Sequence, residues 1–286
     1  MKQHEVLRRA SLFLKSHNCE AQIAEIVLQH HLKVSRAHFF MNMHTVVPEH
    51  VIMQFQADIA HHVETGIPVQ HITGQADFYG RTFSVNEHTL IPRPETEELV
   101  EYVRDDLNQR LPTSSPVIID VGTGTGIIAI TLKLEYPDAQ IYATDISDQA
   151  LQMARKNAAD LGADITFLHG DFLKPIIARK LQPDIIISNP PYIAAEEKAY
   201  LSRTVKEFDP QLALFAADGG LAAYKQILRQ MRDLTVANSQ LIFEIGHEQG
   251  PAVKQLIREM YRSSQVEIIQ DINRKDRIVV AHTLHD

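Results

Sequence analysis

Apolar side chains recur every three or four residues through the first part of the chain. Two such series are Val6, Ala10 and Leu14 and, further on, Val51, Phe55 and Ile59. This spacing is that of one face of an amphipathic helix. Pro48 suits the first turn of the last of these helices, and Gly66 followed by Pro68 ends it. The pattern predicts a small helical bundle as a domain of its own, residues 1–73.

Residues 74–92 have a different pattern. They combine Gly74 and Gly80 with the aromatic residues Phe78, Tyr79 and Phe83 and with β-branched side chains. Glycines between short runs of this composition are typical of a hairpin. The segment is therefore predicted to be a hairpin or a linker between the helical bundle and a second domain, residues 93–286.

From Pro116 onward, short apolar runs alternate with helical patterns. The predicted strands are Val117–Val121 and residues 140–144, 165–168, 184–188, 241–245, 266–270 and 277–281. The predicted helices run to about residue 135 and over residues 148–161, 221–234 and 252–261, with Ser147 as the N-cap of the helix that starts at residue 148. Alternating strands and helices predict an α/β fold with a doubly wound, Rossmann-like, mostly parallel seven-stranded sheet. Only the last two strands, which a polar turn separates, are expected to pair antiparallel.

Composition narrows the range of partners. The 286 residues are 44% hydrophobic and 22% charged, and the formal net charge is −8. A duplex-DNA binder neutralises phosphates with clustered cations, so we expect no direct nucleic-acid binding. Neither a run of about 18 apolar residues nor a secretory leader is present, so a cytoplasmic protein without a membrane partner is expected. The one cysteine, Cys19, excludes an internal disulfide, and the histidines follow no zinc-ligand spacing, so no metal is expected.

A glycine-rich loop follows the first predicted strand. Gly122, Thr123, Gly124, Thr125 and Gly126 stand between that strand and its helix, where glycines allow a tight turn and the close approach of a ligand. The spacing Gly-x-Gly-x-Gly differs from the Gly-x-Gly-x-x-Gly of dinucleotide sites. We predict that these five residues bind a cofactor whose non-phosphate part lies across the loop.

Acidic residues follow the next two predicted strands. Asp145, about 20 residues beyond the glycines, is placed to accept both hydroxyls of a ribose. Asp171 and Phe172 offer a carboxylate and an aromatic face to an adenine ring. Ribose, adenine and a group without phosphate together describe S-adenosylmethionine better than NAD. The alternatives are a surface or N-cap role for Asp145 and a purely structural role for Asp171 and Phe172.

The segment Asn189-Pro190-Pro191-Tyr192 follows the fourth predicted strand, at the edge where parallel sheets bind ligands. Its two prolines remove two backbone donors and stiffen the loop. The loop then presents the Asn189 side-chain oxygen and the Pro190 carbonyl as acceptors, which suits a flat –NH2 group, and Tyr192 offers a ring for stacking. We predict these four residues as catalytic, with Asn189 also beside the cofactor. The alternative is a rigid turn with a buried tyrosine.

These four residues resemble the motif of methyltransferases that act on planar amino nitrogens, in DNA bases and in protein glutamine. Further blocks select among these enzymes: residues 90–97 (Leu-Ile-Pro-Arg-Pro-Glu-Thr-Glu), 208–210 (Phe-Asp-Pro), 217–221 (Ala-Asp-Gly-Gly-Leu) and 244–250 (Glu-Ile-Gly-His-Glu-Gln-Gly). Together they are similar to the HemK/PrmC family, the peptide chain release factor glutamine methyltransferases. The similarity covers roughly residues 66–282 well and the N-terminal helices more loosely.

The resemblance implies a class I S-adenosylmethionine-dependent methyltransferase fold. It also implies methyl transfer to the glutamine side-chain nitrogen in the Gly-Gly-Gln motif of bacterial class I release factors, which residues 1–73 would dock. Three alternatives stay open: a ribosomal-protein glutamine methyltransferase, which typically has Pro-Arg-Ser-Pro at residues 92–95, a DNA adenine or cytosine amino-methyltransferase, and a protein that only senses S-adenosylmethionine. Arg93 and Glu95 either contact the ligands or form an ion pair that holds the linker.

Overall fold

The computed structural model describes residues 1–110, 115–234 and 239–282. Its α-helices are α1 (Gln3–Ser16), α2 (Gln22–Leu32), α3 (Arg36–Met41), α4 (Glu49–Thr65), α5 (Val69–Thr73), α6 (Pro94–Arg110), α7 (Ile127–Glu135), α8 (Asp148–Leu161), α9 (Lys174–Ala178), α10 (Arg203–Phe208), α11 (Gln211–Leu214), α12 (Ala222–Met231) and α13 (Gly250–Met260). Its strands are β1 (Gln75–Phe78), β2 (Arg81–Ser84), β3 (Val117–Val121), β4 (Gln140–Asp145), β5 (Thr166–His169), β6 (Ile185–Ser188), β7 (Gln240–Glu244), β8 (Gln265–Gln270) and β9 (Asp276–His282). A 3-10 helix spans Ala195–Tyr200. Across these ranges, no helix combines the length and the apolar character needed to cross a membrane.

The described chain divides into two compact units, whose limits differ from the predicted domains in two places. Unit 1 consists of Met1–Gln75 and Ser202–Phe208, and unit 2 consists of the described parts of Ala76–Leu201 and Asp209–Asp286. Residues 75–84 do form a two-stranded hairpin. The segment from residue 76 to residue 92 nevertheless belongs to unit 2 rather than to a linker, because Phe78 and Phe83 are buried in the core of that unit.

Unit 1 is the helical bundle that the apolar spacing predicted. Leu14, Leu28 and Phe39 are fully buried in its core, and Phe55 is almost so. Helix α10 joins this unit although it lies far along the chain. The Thr204 hydroxyl donates to the Gly66 carbonyl at 3.4 Å, and the Phe208 and His71 rings lie edge to face at 6.4 Å. A contact of this kind cannot be inferred from spacing along the sequence.

Unit 2 is built on a single sheet that contains seven strands among the described residues. Their order is β5-β4-β3-β6-β7-β9-β8. The strands from β5 to β7 run parallel, and β9 lies antiparallel to both β7 and β8. The doubly wound, mostly parallel fold is therefore confirmed. Strands β4 and β5 lie on one side of β3, and β6 and β7 lie on the other. The crevice beyond the carboxyl ends of β3 and β6 is therefore the topological switch point, where ligands bind.

Helices cover both faces of this sheet. One face packs against α12 and α13, with Tyr224, Ile227 and Val253 fully buried. The other face packs against α6, α7 and α8, with Leu99 and Ile130 fully buried. A parallel strand between two helical layers has no exposed face, which explains why the strand sequences are almost continuously apolar rather than alternating.

Several predicted boundaries agree with the structure. Strand β3 and helix α8 have the predicted limits, and the Ser147 side chain accepts a hydrogen bond from the Ala150 N–H as the N-cap. The short helices α9, α10 and α11 were not predicted. They have five, six and four residues, so they are too short to show a helical period.

Candidate active site

A cavity of about 600 Å³ lies in unit 2 at the switch point, beyond the carboxyl ends of β3, β4 and β6. This volume is within the range of small-molecule sites. Its wall brings together most of the residues predicted for the site: Gly122, Thr123, Gly124, Thr125, Asp145, Asp171, Phe172, Asn189 and Pro191. Of the predicted residues, all of which the structure describes, Gly126, Pro190 and Tyr192 lie outside the wall.

Backbone hydrogen bonds hold the glycine loop against the end of β4. The N–H groups of Gly122 and Thr123 both donate to the Thr144 carbonyl at 2.9 Å. The Gly124 N–H donates to Asp145 Oδ2 at 2.9 Å. Three N–H groups of the loop therefore hold it against the end of β4.

The space around the glycines separates their roles. A Cβ atom at Gly122 or Gly124 would meet no other atom within 4 Å, and both glycines have positive φ. A Cβ atom at Gly126 would lie 2.8 Å from Ile130 Cδ1 and 3.2 Å from Ala154 Cβ. The first two glycines therefore leave open space on the cavity side, whereas Gly126 allows α7 and α8 to pack closely, which explains why it lies outside the cavity wall.

Asp145 connects the glycine loop with the start of α8. Its Oδ2 accepts the Gly124 N–H and its Oδ1 accepts the Ser147 N–H, both at 2.9 Å. Burial raises the pKa of Asp145 above its ordinary value, while these backbone hydrogen bonds lower it. Each carboxylate oxygen has a second lone pair, so Asp145 can still accept the two hydroxyls of a ribose. That contact stays a prediction.

A fully buried carboxylate supports the glycine loop from the sheet. The Thr123 hydroxyl donates to Asp120 Oδ2 at 2.6 Å, and the Ala129 N–H donates to the same oxygen at 3.3 Å. Desolvation raises the pKa of Asp120 to about 7, and the hydrogen bond from Thr123 opposes this shift. Asp120 therefore links the strand, the loop and the following helix through one side chain.

Asp171 and Phe172 lie in the cavity wall, as predicted, but Asp171 has local partners as well. Gln230 Nε2 donates to Asp171 Oδ2 at 3.2 Å, and Lys174 Nζ lies 2.8 Å from the same oxygen. Phe172 has a φ of +47°, which is uncommon for a non-glycine residue and turns the chain sharply after β5. Their contact with an adenine ring stays a prediction.

The side chain of Asn189 is held from beneath by two residues that lie far away in the sequence. Asn189 Nδ2 donates to Thr96 Oγ1 at 3.3 Å, and Thr96 Oγ1 donates to Glu244 Oε2 at 2.8 Å. Thr96 is 1% and Glu244 2% exposed. Desolvation raises the pKa of Glu244 to about 7, and hydrogen bonds from Thr96 and Asn189 are among the contacts that lower it.

The next part of the loop is held through the main chain of Tyr192. Gln249 Nε2 donates to the Tyr192 carbonyl at 2.9 Å, and the Gly246 N–H donates to Gln249 Oε1 at 3.1 Å. Gly220 passes so close that a Cβ atom there would overlap the Tyr192 carbonyl oxygen. Its φ of +84° adds a second reason for glycine at this position.

The Tyr192 ring does not line the cavity. It packs against the core cluster on the α12–α13 face of the sheet, and burial raises its pKa to about 12. Stacking of a substrate on this ring therefore stays a prediction that the described cavity wall does not support. Asn189 and Pro191 are the two motif residues that reach the wall.

Arg93 forms an ion pair, one of the two roles left open by the sequence, but its partner is not Glu95. Arg93 Nη2 lies 2.6 Å from Asp209 Oδ2, and the Asp209 side chain is 2% exposed. Arg93 also lies in the cavity wall. The ion pair joins the Leu90–Glu97 block to the Phe208–Pro210 block, both of which the sequence singled out without a structural reason.

Sequence reasoning missed the supporting roles of Thr96, Glu244 and Gln249. All three lie in the resemblance blocks 90–97 and 244–250, so their positions were noted but no chemistry was assigned to them. No residue spacing could have joined Thr96 to Glu244, because 148 positions separate them.

Within the described parts of the chain, no group of three or more His, Cys, Asp or Glu side chains could hold a metal ion.

The cavity fits S-adenosylmethionine. The glycines leave open space above the loop, and the side chains that flank it, Asp145 and Asp171, are acidic. Acidic residues suit a sulfonium cation better than a diphosphate. Fold and cavity together define the class: this is a Rossmann-like, class I S-adenosylmethionine-dependent methyltransferase.

Comparison with known proteins narrows the class to one family. The family model "Methyltransferase small domain" matches residues 103–219, and "PrmC N-terminal domain" matches residues 5–74. The chain is 41% identical to a release factor glutamine methyltransferase of Bacillus cereus, over 98% of this chain and 99% of that protein. It is 40% identical to that of Bacillus subtilis, over 97% and 96% of the two chains. This chain belongs to the release factor glutamine methyltransferase family.

Solved structures agree on the fold. A methyltransferase from Pyrococcus furiosus has a TM-score of 0.53 at 14% identity, over 79% of this chain and 96% of that one. The hMettl16 catalytic domain, solved in complex with MAT2A 3'UTR hairpin 6, has a TM-score of 0.54 at 17% identity, over 83% of both chains. Similarity at this level of identity supports the fold of the catalytic unit and nothing finer.

Proposed function

We propose that this protein transfers a methyl group from S-adenosylmethionine to the side-chain amide nitrogen of the glutamine in the Gly-Gly-Gln motif of bacterial class I release factors. The observation that carries the proposal is the position of Asn189, a hydrogen-bonding amide at the wall of the cofactor cavity. The near full-length similarity to enzymes with this name supports it.

The difficulty of the reaction is the weak nucleophile. The lone pair of an amide nitrogen is delocalised into its carbonyl group, and the cofactor supplies a methyl group on a positively charged sulfur. Transfer forms a C–N bond, breaks the C–S bond and releases one proton from the nitrogen. In this proposal, Asn189 Oδ1 and the Pro190 carbonyl accept hydrogen bonds from the two N–H groups of the substrate amide. These bonds direct the nitrogen towards the methyl group and stabilise the positive charge that develops on it.

The chain contributes position and electrostatics rather than a covalent intermediate. Pro190 and Pro191 cannot donate backbone hydrogen bonds, so the loop does not compete with the substrate donors. The hydrogen bonds with Thr96 and Gln249 support the loop, and Gly220 packs closely against its main chain. Preorganisation of this kind avoids reorganisation at the moment of reaction.

Mass spectrometry of an unmodified release factor tests the proposal. After incubation with this protein and S-adenosylmethionine, the Gly-Gly-Gln peptide is expected to gain the mass of one methyl group. A release factor in which alanine replaces that glutamine is the control and should gain none. Methylation of a ribosomal protein, DNA or RNA under the same conditions, with the release factor unmodified, would refute the proposed substrate and identify the alternative.

We propose further that unit 1 docks the release factor and that the enzyme acts in the cytoplasm, where translation ends. Unit 1 exposes the apolar side chains of Leu12, Met41 and Met53, which are 58%, 78% and 61% exposed. Glutamate at these positions should raise the KM for the intact release factor and leave the KM for a short Gly-Gly-Gln peptide unchanged. Ile272→Glu, at an exposed site in unit 2, is the matched control. Equal KM values for all variants would contradict the docking role.

A further inference from the structure

We propose that Thr96 and Glu244 are positioning residues that fix the orientation of the Asn189 side-chain amide, so that its oxygen, and not its nitrogen, faces the substrate. The inference rests on the proposed function and deepens it. An asparagine amide can be turned by 180° with almost no change of shape, but only one orientation presents an acceptor to an –NH2 group. Residues that select this orientation therefore contribute to catalysis by positioning Asn189.

The hydrogen bonds that join Asn189, Thr96 and Glu244 have a defined order of donors: Asn189 donates to Thr96, and Thr96 donates to Glu244. The Thr96 hydroxyl has a single proton, and at 2.8 Å from Glu244 Oε2 that proton is used on the carboxylate. Towards Asn189, Thr96 can then only accept, and Asn189 Nδ2 donates to it at 3.3 Å. A turned amide would place its oxygen against an oxygen without an available proton and close to a carboxylate. Glu244 thus favours one orientation of the amide in two ways, through Thr96 and through its own hydrogen bond from Asn189.

The burial of Glu244 favours a role beyond packing. All five residues of β7 are buried, and Glu244 is the last of them, 2% exposed. A carboxylate in such a place is destabilising unless it is well paired, and its hydrogen-bonding side chains, Thr96 and Asn189, are both neutral. Departures from stable packing of this kind concentrate at functional sites.

Protonation of Glu244 would reverse the chain of hydrogen bonds. A neutral Glu244 can donate to Thr96, which frees the Thr96 proton for Asn189 and stabilises the turned, unproductive amide. The groups around Glu244 are Arg277, which lowers its pKa, Glu95, which raises it, and the hydroxyls of Tyr192 and Tyr224. Tyr224 donates to the main-chain carbonyl of Glu244 and not to its side chain. With the pKa of Glu244 near 7, kcat should fall on the acid side of neutrality.

Steady-state kinetics of matched variants test this inference. Thr96→Val keeps the shape but removes the hydroxyl, and we expect kcat to fall by about 10- to 100-fold, as for a displaced catalytic group, with the KM for the release factor and the Kd for S-adenosylmethionine unchanged. Thr96→Ser restores the hydroxyl and should recover most of kcat. Thr131→Val is the control, since Thr131 is a buried threonine whose hydroxyl has no partner among the described residues. A wild-type kcat in Thr96→Val would overturn the proposal.

A double-mutant cycle asks whether Thr96 acts through Asn189. In an Asn189→Ala background, Thr96→Val should cause no further loss of kcat, because no amide remains to be oriented. Independent, multiplicative losses would overturn the proposal. Glu244→Gln keeps the size of the side chain and should remove the fall in kcat below pH 7; persistence of that fall would place the titrating group elsewhere. This variant also carries the test should Thr96→Val fail to fold.

A readout without substrate separates failure of this inference from failure of the proposed function. The side-chain amide of Asn189 can be observed by ¹⁵N NMR with asparagine labelling and identified by its loss in Asn189→Ala. Its protons should exchange slowly with solvent in the wild type and faster in Thr96→Val. If the wild-type protein shows slow exchange but leaves release factors unmodified, the proposed substrate is wrong. Equal exchange in both proteins overturns the inference itself.

Discussion

The glycine loop and the Asn189 loop rest on the same kind of support. Beneath the first, Thr123 donates to the buried carboxylate of Asp120; beneath the second, Thr96 donates to the buried carboxylate of Glu244. Both carboxylates lie in strands of the central sheet, and desolvation raises the pKa of each to about 7. The two supports differ in their separation along the chain: Asp120 and Thr123 are 3 positions apart, and Thr96 and Glu244 are 148 positions apart.

This difference explains why one loop is easier to interpret than the other. The glycine loop, the buried aspartate beneath it and its helix form one continuous segment, and its other support comes from the end of the next strand along the chain, β4. The Asn189 loop takes its support from the start of α6, the end of β7 and Gln249, which only the folded sheet brings together. A substitution in the glycine loop should therefore act on cofactor binding, whereas one beneath Asn189 should act on methyl transfer.

The largest effect is expected for Asn189→Ala. Loss of one preorganised polar group in an active site raises the barrier by about 2.7–4 kcal/mol, so kcat should fall by roughly two to three orders of magnitude. The Kd for S-adenosylmethionine should change far less, because the glycine loop stays intact. Single-turnover kinetics and calorimetry measure the two quantities. A near-normal kcat would remove Asn189 from the reaction and, with it, the contrast between the loops.

Glu244→Gln tests the cost of the distant support. In the folded protein the pKa of Glu244 is about 7, above its ordinary value of 4.5. Its contribution to the free energy of unfolding is therefore fully present below pH 4.5 and is lost as the pH rises through 7. The difference corresponds to about 3 kcal/mol. The difference in the free energy of unfolding between Glu244→Gln and the wild type should therefore shift in favour of the variant from pH 5 to pH 8. The variant should nevertheless lose activity. Chemical unfolding at both pH values measures this, with Glu259→Gln, at an exposed site, as the control. An equal difference at both pH values would contradict the raised pKa.

Asp145→Ala should act on the cofactor alone. Hydrogen bonds to a charged group contribute about 1.5–3 kcal/mol, so the Kd for S-adenosylmethionine should rise by roughly one to two orders of magnitude. At saturating cofactor, kcat should be close to normal. Titration calorimetry provides the Kd, and Asp160→Ala, at an exposed site in the following helix α8, is the control. An unchanged Kd would exclude Asp145 from the cofactor site.

The smallest effect is expected for Gln249→Ala. It removes the hydrogen bond donated to the Tyr192 carbonyl and the one accepted from the Gly246 N–H, which contribute about 1 kcal/mol each to stability. It also removes a longer one accepted from the Tyr224 hydroxyl. The midpoint of chemical unfolding should fall accordingly, and kcat should fall more than the cofactor affinity. Gln255→Ala, an exposed residue whose side chain bonds only to Glu259 in the described contacts, should change neither. A loss of cofactor affinity alone would show that Gln249 supports the glycine loop and not the Asn189 loop.

The sequence by itself determined the elements and the residues that carry the chemistry. Helical spacing alone marked the bundle, and short apolar runs between helical patterns marked the α/β domain. Strand β3 and helix α8 were found at their predicted limits, because these signals are local. The glycine loop, Asp145 and the Asn189 motif were identified by residue type next to a strand end, and the parallel sheet brings most of them to one cavity wall.

Only the tertiary structure decided how those residues are supported and where the units divide. It assigned α10 to unit 1, joined Arg93 to Asp209 and placed Thr96 between Asn189 and Glu244. It also packed the Tyr192 ring against the core cluster, outside the cavity wall. A hydrogen bond reaches about 3 Å in space whatever the distance along the chain, so partners that sheet order and helix packing bring together leave no spacing for the sequence to show.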